Sequence, residues 1–225
     1  MDAVRVKICG LSTPEAVDAA VAAGAGYVGF VFYAPSPRNV APARAAALAA
    51  RVPAGVAKVA LVVDADDDAL DAVVGAVPMD MIQLHGGESP ARAAAVRARH
   101  GLPVMKAVGL QGRGDLSALD RWTGAADQVL VDAKPAPGAA LPGGNGLSFD
   151  WTLLADRRWF GPWMLAGGLD AGNVREAVRR TRARQVDVSS GVERAPGEKD
   201  GAAIAAFCAA ARGAGAPLAP VPDLS

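Results

Sequence analysis

The chain has 225 residues, enough for one or two domains with a full core. Hydrophobic residues make up 52% and charged residues 20%, a balance that excludes global disorder. Lys plus Arg equals Asp plus Glu at 23 each, so the basic excess of a nucleic-acid groove or an anionic-membrane surface is missing, and two cysteines are too few for a disulfide framework.

The N-terminus has no basic segment leading into an apolar one, the mark of a secretory signal. It runs directly into a β-branched strand, Val4–Ile8. Thr13-Pro14-Glu15 supplies a capping hydroxyl and a proline at the first helical position, and predicts a helix over Thr13–Ala23 that stops at Gly24. Strand Tyr27–Phe32 follows, then a helix over Ala43–Arg51 that ends before Pro53. Val56–Val63 reads as the third strand and is too short to span a bilayer. Asp66, Asp67 and Asp68 favour the start of a helix over Asp66–Gly75 through the macrodipole. Strand Asp80–Leu84, helix Ser89–Arg99, strand Val104–Val108 and a short helix Asp115–Trp122 come next. Strand Gln128–Val131 leads into a Pro- and Gly-rich segment, 134–146, which reads as a loop. Helix Phe149–Ala155 behind Ser148, strand Trp163–Ala166, helix Gly172–Thr181, strand Val186–Val188 and helix Asp200–Arg212 complete the alternation. Residues 213–225 carry Gly215, Pro217, Pro220 and Pro222 and read as a frayed tail.

Eight β-then-α units in one chain of this length predict an α/β fold, a closed (β/α)8 TIM barrel over residues 1–212 as a single domain. A doubly wound open sheet is the alternative, but no Gly-x-Gly-x-x-Gly follows the first strand. The functional end of such a barrel lies at the C-terminal ends of the strands. Cys9, His85, Asp132 and Ser189-Ser190-Gly191 stand there. The period of two turns Val4, Val6 and Ile8 toward the helices, and Arg5, Lys7 and Cys9 into the barrel. Leu130 and Asp132 face in, while Val129 and Val131 face out; Gln83 shares parity with His85, and Asp187 with Ser189. Because the first and last strands of a closed barrel are neighbours, Asp187 is expected to compensate Arg5 or Lys7 in the barrel floor.

A thiol and a carboxyl therefore converge on one mouth. Position alone leaves Cys9 open between a small core residue and a base. As a base it needs its pKa lowered, a task the Lys7 ammonium suits, and Asp132 as an acid needs its pKa raised; two such anions side by side would share one proton. Gly167-Gly168 and Ser190-Gly191 follow strands seven and eight, where barrels of this kind build a phosphate site from backbone N–H groups. Arg38, after Pro35 and Pro37, is placed either to grip a carboxylate or simply to face solvent. His85 reads as a hydrogen-bond donor or a core histidine, since no second His or Cys stands at metal spacing. His100 and Cys208 read as structural residues within helices.

Val6-Lys7-Ile8-Cys9-Gly10-Leu11, Ser36-Pro37-Arg38, Gln83-Leu84-His85-Gly86, Val131-Asp132-Ala133-Lys134, Gly143-Gly144-Asn145-Gly146, Leu165-Ala166-Gly167-Gly168-Leu169 and Val186-Asp187-Val188-Ser189-Ser190-Gly191-Val192-Glu193, followed by Gly197-Glu198-Lys199-Asp200, occur in order along the chain. Together they resemble the phosphoribosylanthranilate isomerases of tryptophan biosynthesis, from about Val4 to Phe207. The resemblance implies a cytoplasmic enzyme that performs a cofactor-free Amadori rearrangement, with no metal, on a phosphorylated sugar-anthranilate substrate, as a monomer or homodimer, with no nucleic-acid or membrane partner. It implies Cys9 as general base at ribose C2′ and Asp132 as general acid at the ring oxygen. It implies Arg38, with His85 and Gly144, as substrate-binding residues. Gly167, Gly168, Ser190 and Gly191 would hold the 5′-phosphate, and the Gly143–Gly146 loop would close over the site. The stretch before Gly143 is longer and more apolar than the family's usual loop. Two rivals stand beside this reading: the sister isomerase of histidine biosynthesis, which acts on a two-phosphate substrate with two aspartates, and a non-catalytic sugar-phosphate-binding barrel.

Overall fold

The computed structural model describes residues 3–214 except 136, 137, 140 and 145, so the expected tail lies outside it from residue 215 onward. Eight parallel strands form a closed barrel: β1 (Arg5–Cys9), β2 (Tyr27–Phe32), β3 (Ala57–Val62), β4 (Met81–Leu84), β5 (Val104–Leu110), β6 (Gln128–Ala133), β7 (Trp163–Leu165) and β8 (Gln185–Val188). Each pairs with the next, and β8 closes on β1 with Lys7 opposite Asp187. Around them run α1 (Pro14–Ala22), α2 (Pro42–Ala49), α3 (Asp67–Ala76), α4 (Pro90–His100), α5 (Leu116–Asp120), α6 (Val174–Thr181) and α7 (Gly201–Gly213).

The helix starts follow their capping chemistry. Thr13 Oγ1 accepts from the Ala16 N–H at 3.2 Å, Ser89 Oγ from Arg92 N–H at 3.1 Å, and Asp200 Oδ1 from Ala202 N–H at 2.8 Å. The helix expected over Phe149–Ala155 is instead a single 3₁₀ turn, Trp151–Leu154. Its cap is Asp150, not Ser148; Asp150 Oδ1 accepts from the Thr152 N–H at 2.9 Å. Starting two residues late leaves too few residues to repay helix nucleation. A two-stranded pair, β9 (Glu193–Ala195) with β10 (Glu198–Lys199), follows β8 and was not expected; it returns Lys199 to the barrel mouth.

Strand parity sorts the core into two layers. Val6, Ile8, Val28, Phe30 and Val131 face outward and pack with Val17, Leu48, Ile204 and Phe207 of the helices. Tyr27, Val59, Met105, Leu130 and Met164 fill the barrel. Each large apolar side chain so buried contributes about 1.5–3 kcal/mol. The inner layer is polar at two levels. At the N-terminal end Tyr27 Oη donates to Gln185 Oε1 at 2.7 Å. Above it, Lys7, wholly buried, pairs with Asp187 at 2.9 Å. The expected partner of Asp187 is therefore Lys7, but the pair sits beneath the mouth and not on the floor, because Asp187 lines the cavity there. Arg5 lies over the Tyr27 ring at 4.4 Å instead.

A second buried pair lies under the β4–α4 loop. Lys106 Nζ donates to Glu88 Oε2 at 2.7 Å and to the Gly86 carbonyl at 2.6 Å. Glu88 also accepts from the N–H groups of Asp64 and Gly86, both at 2.9 Å. Burial alone would raise the Glu88 pKa, but Lys106, helped by backbone amides that include that of Asp64, outweighs it and holds the carboxyl below its ordinary value. A carboxyl depressed in the folded state adds stability that is present above the unfolded pKa, about 4.3, and is lost as pH falls through the folded one. Glu88→Gln is therefore expected to lower the urea midpoint at neutral pH and to flatten its decline below about pH 4.3. An unchanged acid limb in that variant would show that other carboxylates carry it.

Candidate active site

One cavity opens at the C-terminal ends of the strands, the place where barrels of this kind hold small molecules. Cys9, Arg38, His85, Asp132, Gly144, Gly167, Gly168 and Ser190 all line it. Gly191 does not; it is exposed on the 3₁₀ turn Ser190–Val192 just behind. Asn145 of the expected closing loop lies outside the described residues.

Cys9 ends β1 and packs against Val31 and Leu61. Gly29, opposite it on β2, makes room: a Cβ there would come within 3.1 Å of Sγ and 3.3 Å of Lys7 Cε. Burial pushes the Cys9 thiol above its ordinary pKa; the Lys7 and Lys199 ammonium groups pull the other way without overcoming it. Asp132, next to last in β6, stands across the mouth. Its Oδ1 accepts from the Ala133 N–H at 2.8 Å, and its Oδ2 lies 3.4 Å from His85 Nε2.

Arg38 is 6% exposed, so it is not a surface arginine. Its Nε and one terminal nitrogen donate to the two carboxylate oxygens of Glu193, both at 2.8 Å, and that same terminal nitrogen reaches the Gly144 carbonyl at 3.2 Å. The fork that suits a bidentate carboxylate is therefore taken by Glu193, which leaves the other terminal nitrogen, NH1, for a ligand. Glu193 also accepts from Lys199 at 2.6 Å, and Lys199 donates to the Ser189 carbonyl at 2.9 Å. Burial would raise the Glu193 pKa, yet Arg38 and Lys199 together keep it low. Ser189 Oγ in turn donates to the Cys9 carbonyl at 3.1 Å. One polar chain thus ties Arg38 to the strand that carries the thiol.

The far wall is made of glycine turns. Gly167 has φ +85°, and a Cβ there would stand 2.7 Å from the Ala133 nitrogen. At Gly191 a Cβ would meet the Leu169 carbonyl oxygen at 2.0 Å. Only glycine permits these close approaches. Among the described residues, the N–H groups of Gly167, Gly168 and Ser190 have no backbone or side-chain acceptor outside the regular elements, which suits them to an anion. No group of three or more His, Cys, Asp or Glu that could hold a metal occurs among the described residues, and none of their helices is long and apolar enough to cross a membrane.

Glu193, Lys199 and Gln83 were not singled out as site residues from the sequence. The first two stand in the glycine- and serine-rich motifs after strand eight, but nothing in their spacing reveals that a hairpin folds them back onto Arg38.

The family model described as N-(5′-phosphoribosyl)anthranilate (PRA) isomerase matches residues 6–210. The N-(5′-phosphoribosyl)anthranilate isomerase of Cereibacter sphaeroides is 65% identical over 212 residues, covering 94% of this chain and all of that protein. Phosphoribosyl anthranilate isomerase from Thermotoga maritima superposes with a TM-score of 0.84 at 35% identity, over 93% of this chain and 99% of that one. A phosphoribosyl anthranilate isomerase solved with reduced 1-(o-carboxyphenylamino)-1-deoxyribulose 5-phosphate gives 0.80 at 34% identity, over the same shares. With the matching model spanning the barrel from β1 to α7 and a relative aligned along its whole length, the chain belongs to the N-(5′-phosphoribosyl)anthranilate isomerase family.

Proposed function

We propose that the chain converts N-(5′-phosphoribosyl)anthranilate to 1-(2-carboxyphenylamino)-1-deoxyribulose 5-phosphate, with Asp132 as acid and Cys9 as base. The observation that carries the reading is the single cavity shared by Cys9, Asp132, Arg38 and the glycine turns. Asp132 gives a proton to the furanose oxygen; the C1′–O bond breaks and the nitrogen lone pair forms the C1′ iminium. That cation acidifies the C2′–H, and Cys9 takes the proton. The resulting enolamine tautomerises to the ketone. Proton transfers alone balance the step. The amides of Gly167, Gly168 and Ser190 suit the phosphate, and the free terminal nitrogen of Arg38 suits the anthranilate carboxylate. Gly191 serves by letting the Leu169 backbone close in behind Ser190.

The test is to add the purified chain to freshly made substrate and follow anthranilate fluorescence. Rapid loss, dependent on enzyme concentration, is expected. No loss, or turnover of a two-phosphate histidine-pathway substrate in its place, would overturn the assignment.

A further inference from the structure

Gln83 sits on β4 directly beneath His85, on the inward face, and is wholly buried. Its Nε2 lies 2.9 Å from His85 Nδ1. An amide nitrogen only donates, so Nδ1 must accept, and a neutral ring must then carry its proton on Nε2. That nitrogen faces Asp132 Oδ2 at 3.4 Å. The other amide atom, Gln83 Oε1, is buried with no hydrogen-bond partner. Turning the amide over would bury an unpaired NH₂ there instead, and orphaned N–H groups are tolerated less readily than orphaned carbonyls. The donating orientation is therefore the one the packing favours.

The trio is also covered from above. A Cβ on Gly143 would stand 2.5 Å from His85 Nε2 and 2.9 Å from Asp132 Oδ2, so the glycine backbone lies directly on the pair. The side chains of His85 and Asp132 are only 11% and 14% exposed. Little water competes for the contact: Nε2 stands 3.4 Å from Oδ2, while the other carboxylate oxygen accepts from the Ala133 N–H at 2.8 Å.

We infer that Gln83 is a positioning residue: it fixes His85 in the Nε2–H tautomer, and His85 thereby stabilises the Asp132 carboxylate once its proton has gone to the substrate. The inference rests on the reading of Asp132 as acid for its kinetic consequence, but the tautomer itself does not. A wrong tautomer would aim a lone pair at the carboxylate and oppose its discharge.

The chain contains only two histidines, so His100→Gln leaves one imidazole to observe. In ¹⁵N-labelled H100Q protein, long-range ¹H–¹⁵N correlations are expected to show His85 protonated on Nε2. Gln83→Glu offers only acceptors and is expected to draw the proton onto Nδ1. Gln83→Met, close in volume with no donor, is expected to mix the two tautomers. In Q83E kcat should fall about 10–100-fold, with KM within about threefold; in Q83M, where part of the population keeps the Nε2 proton, kcat should fall by only a few-fold. An Nδ1–H tautomer in H100Q alone overturns the inference without needing a Gln83 variant to fold. So does full kcat in folded Q83E and Q83M. If the tautomers move as stated and the unsubstituted enzyme never consumes the substrate, the fault lies with the proposed reaction and not with Gln83.

Discussion

Replacing Asp132 with asparagine is expected to lower kcat by about 10²–10⁴-fold, the range over which a positioned proton donor accelerates a reaction. The amide keeps the size of the carboxyl and a partner for the Ala133 N–H, so binding of a phosphate-bearing product analogue should survive. Cys9→Ser, made separately, should fall by a similar factor, because a buried hydroxyl is a far weaker source of a basic anion than a thiol. Stopped-flow fluorescence for kcat, with titration of the reduced product for binding, separates the two effects. Unchanged kcat in both variants would remove Cys9 and Asp132 from the chemistry. Loss of analogue binding alongside kcat would instead mark them as structural supports of the cavity.

Glu193→Ala is expected to cost about 3–5 kcal/mol of folding stability, the penalty for stranding buried charges without their counter-ion. Glu193 is 4% exposed at its side chain and stands between Arg38, at 7%, and Lys199, at 1%. Removing it leaves two buried cations beside each other. Equilibrium urea unfolding at neutral pH measures the loss, and a change below about 1 kcal/mol would show that water or the neighbouring carbonyls absorb both charges. Glu193→Gln keeps the shape and some of the acceptors, and should lose less. Function should suffer separately, since Arg38 freed from its bidentate partner no longer has a fixed edge facing the ligand.

Much of this was legible in the chain. Every predicted strand overlaps an observed one, because β-branched runs bounded by glycine, proline and aspartate leave few other choices. Period-two parity placed Cys9 and Asp132 on the inner face, since a strand offers only two. The failures share a cause. Lys106 lies on the outward face of β5, between Val104 and Val108, where parity calls for an apolar residue; only Glu88, brought over it by the β4–α4 loop, explains it. The pairing of Arg38 with Glu193 is invisible locally because the two lie 155 residues apart. The turn at Trp151–Leu154 was overextended since a serine two residues too early looked like the cap. Local chemistry is written locally, whereas pairings between distant loops emerge only from closure.

The closure of β8 on β1 also dictates an order of assembly. A ribosome that has released residues up to Ala166 has made seven strands and left bare edges on both β1 and β7. The Lys7 ammonium is then without the carboxylate it needs to be buried, because Asp187 has not been synthesised. The first strand, with the sulfur at its tip, is therefore held by β2 on one edge only, and the nascent barrel carries an open seam, a template for unwanted strand pairing, until β8 has been made.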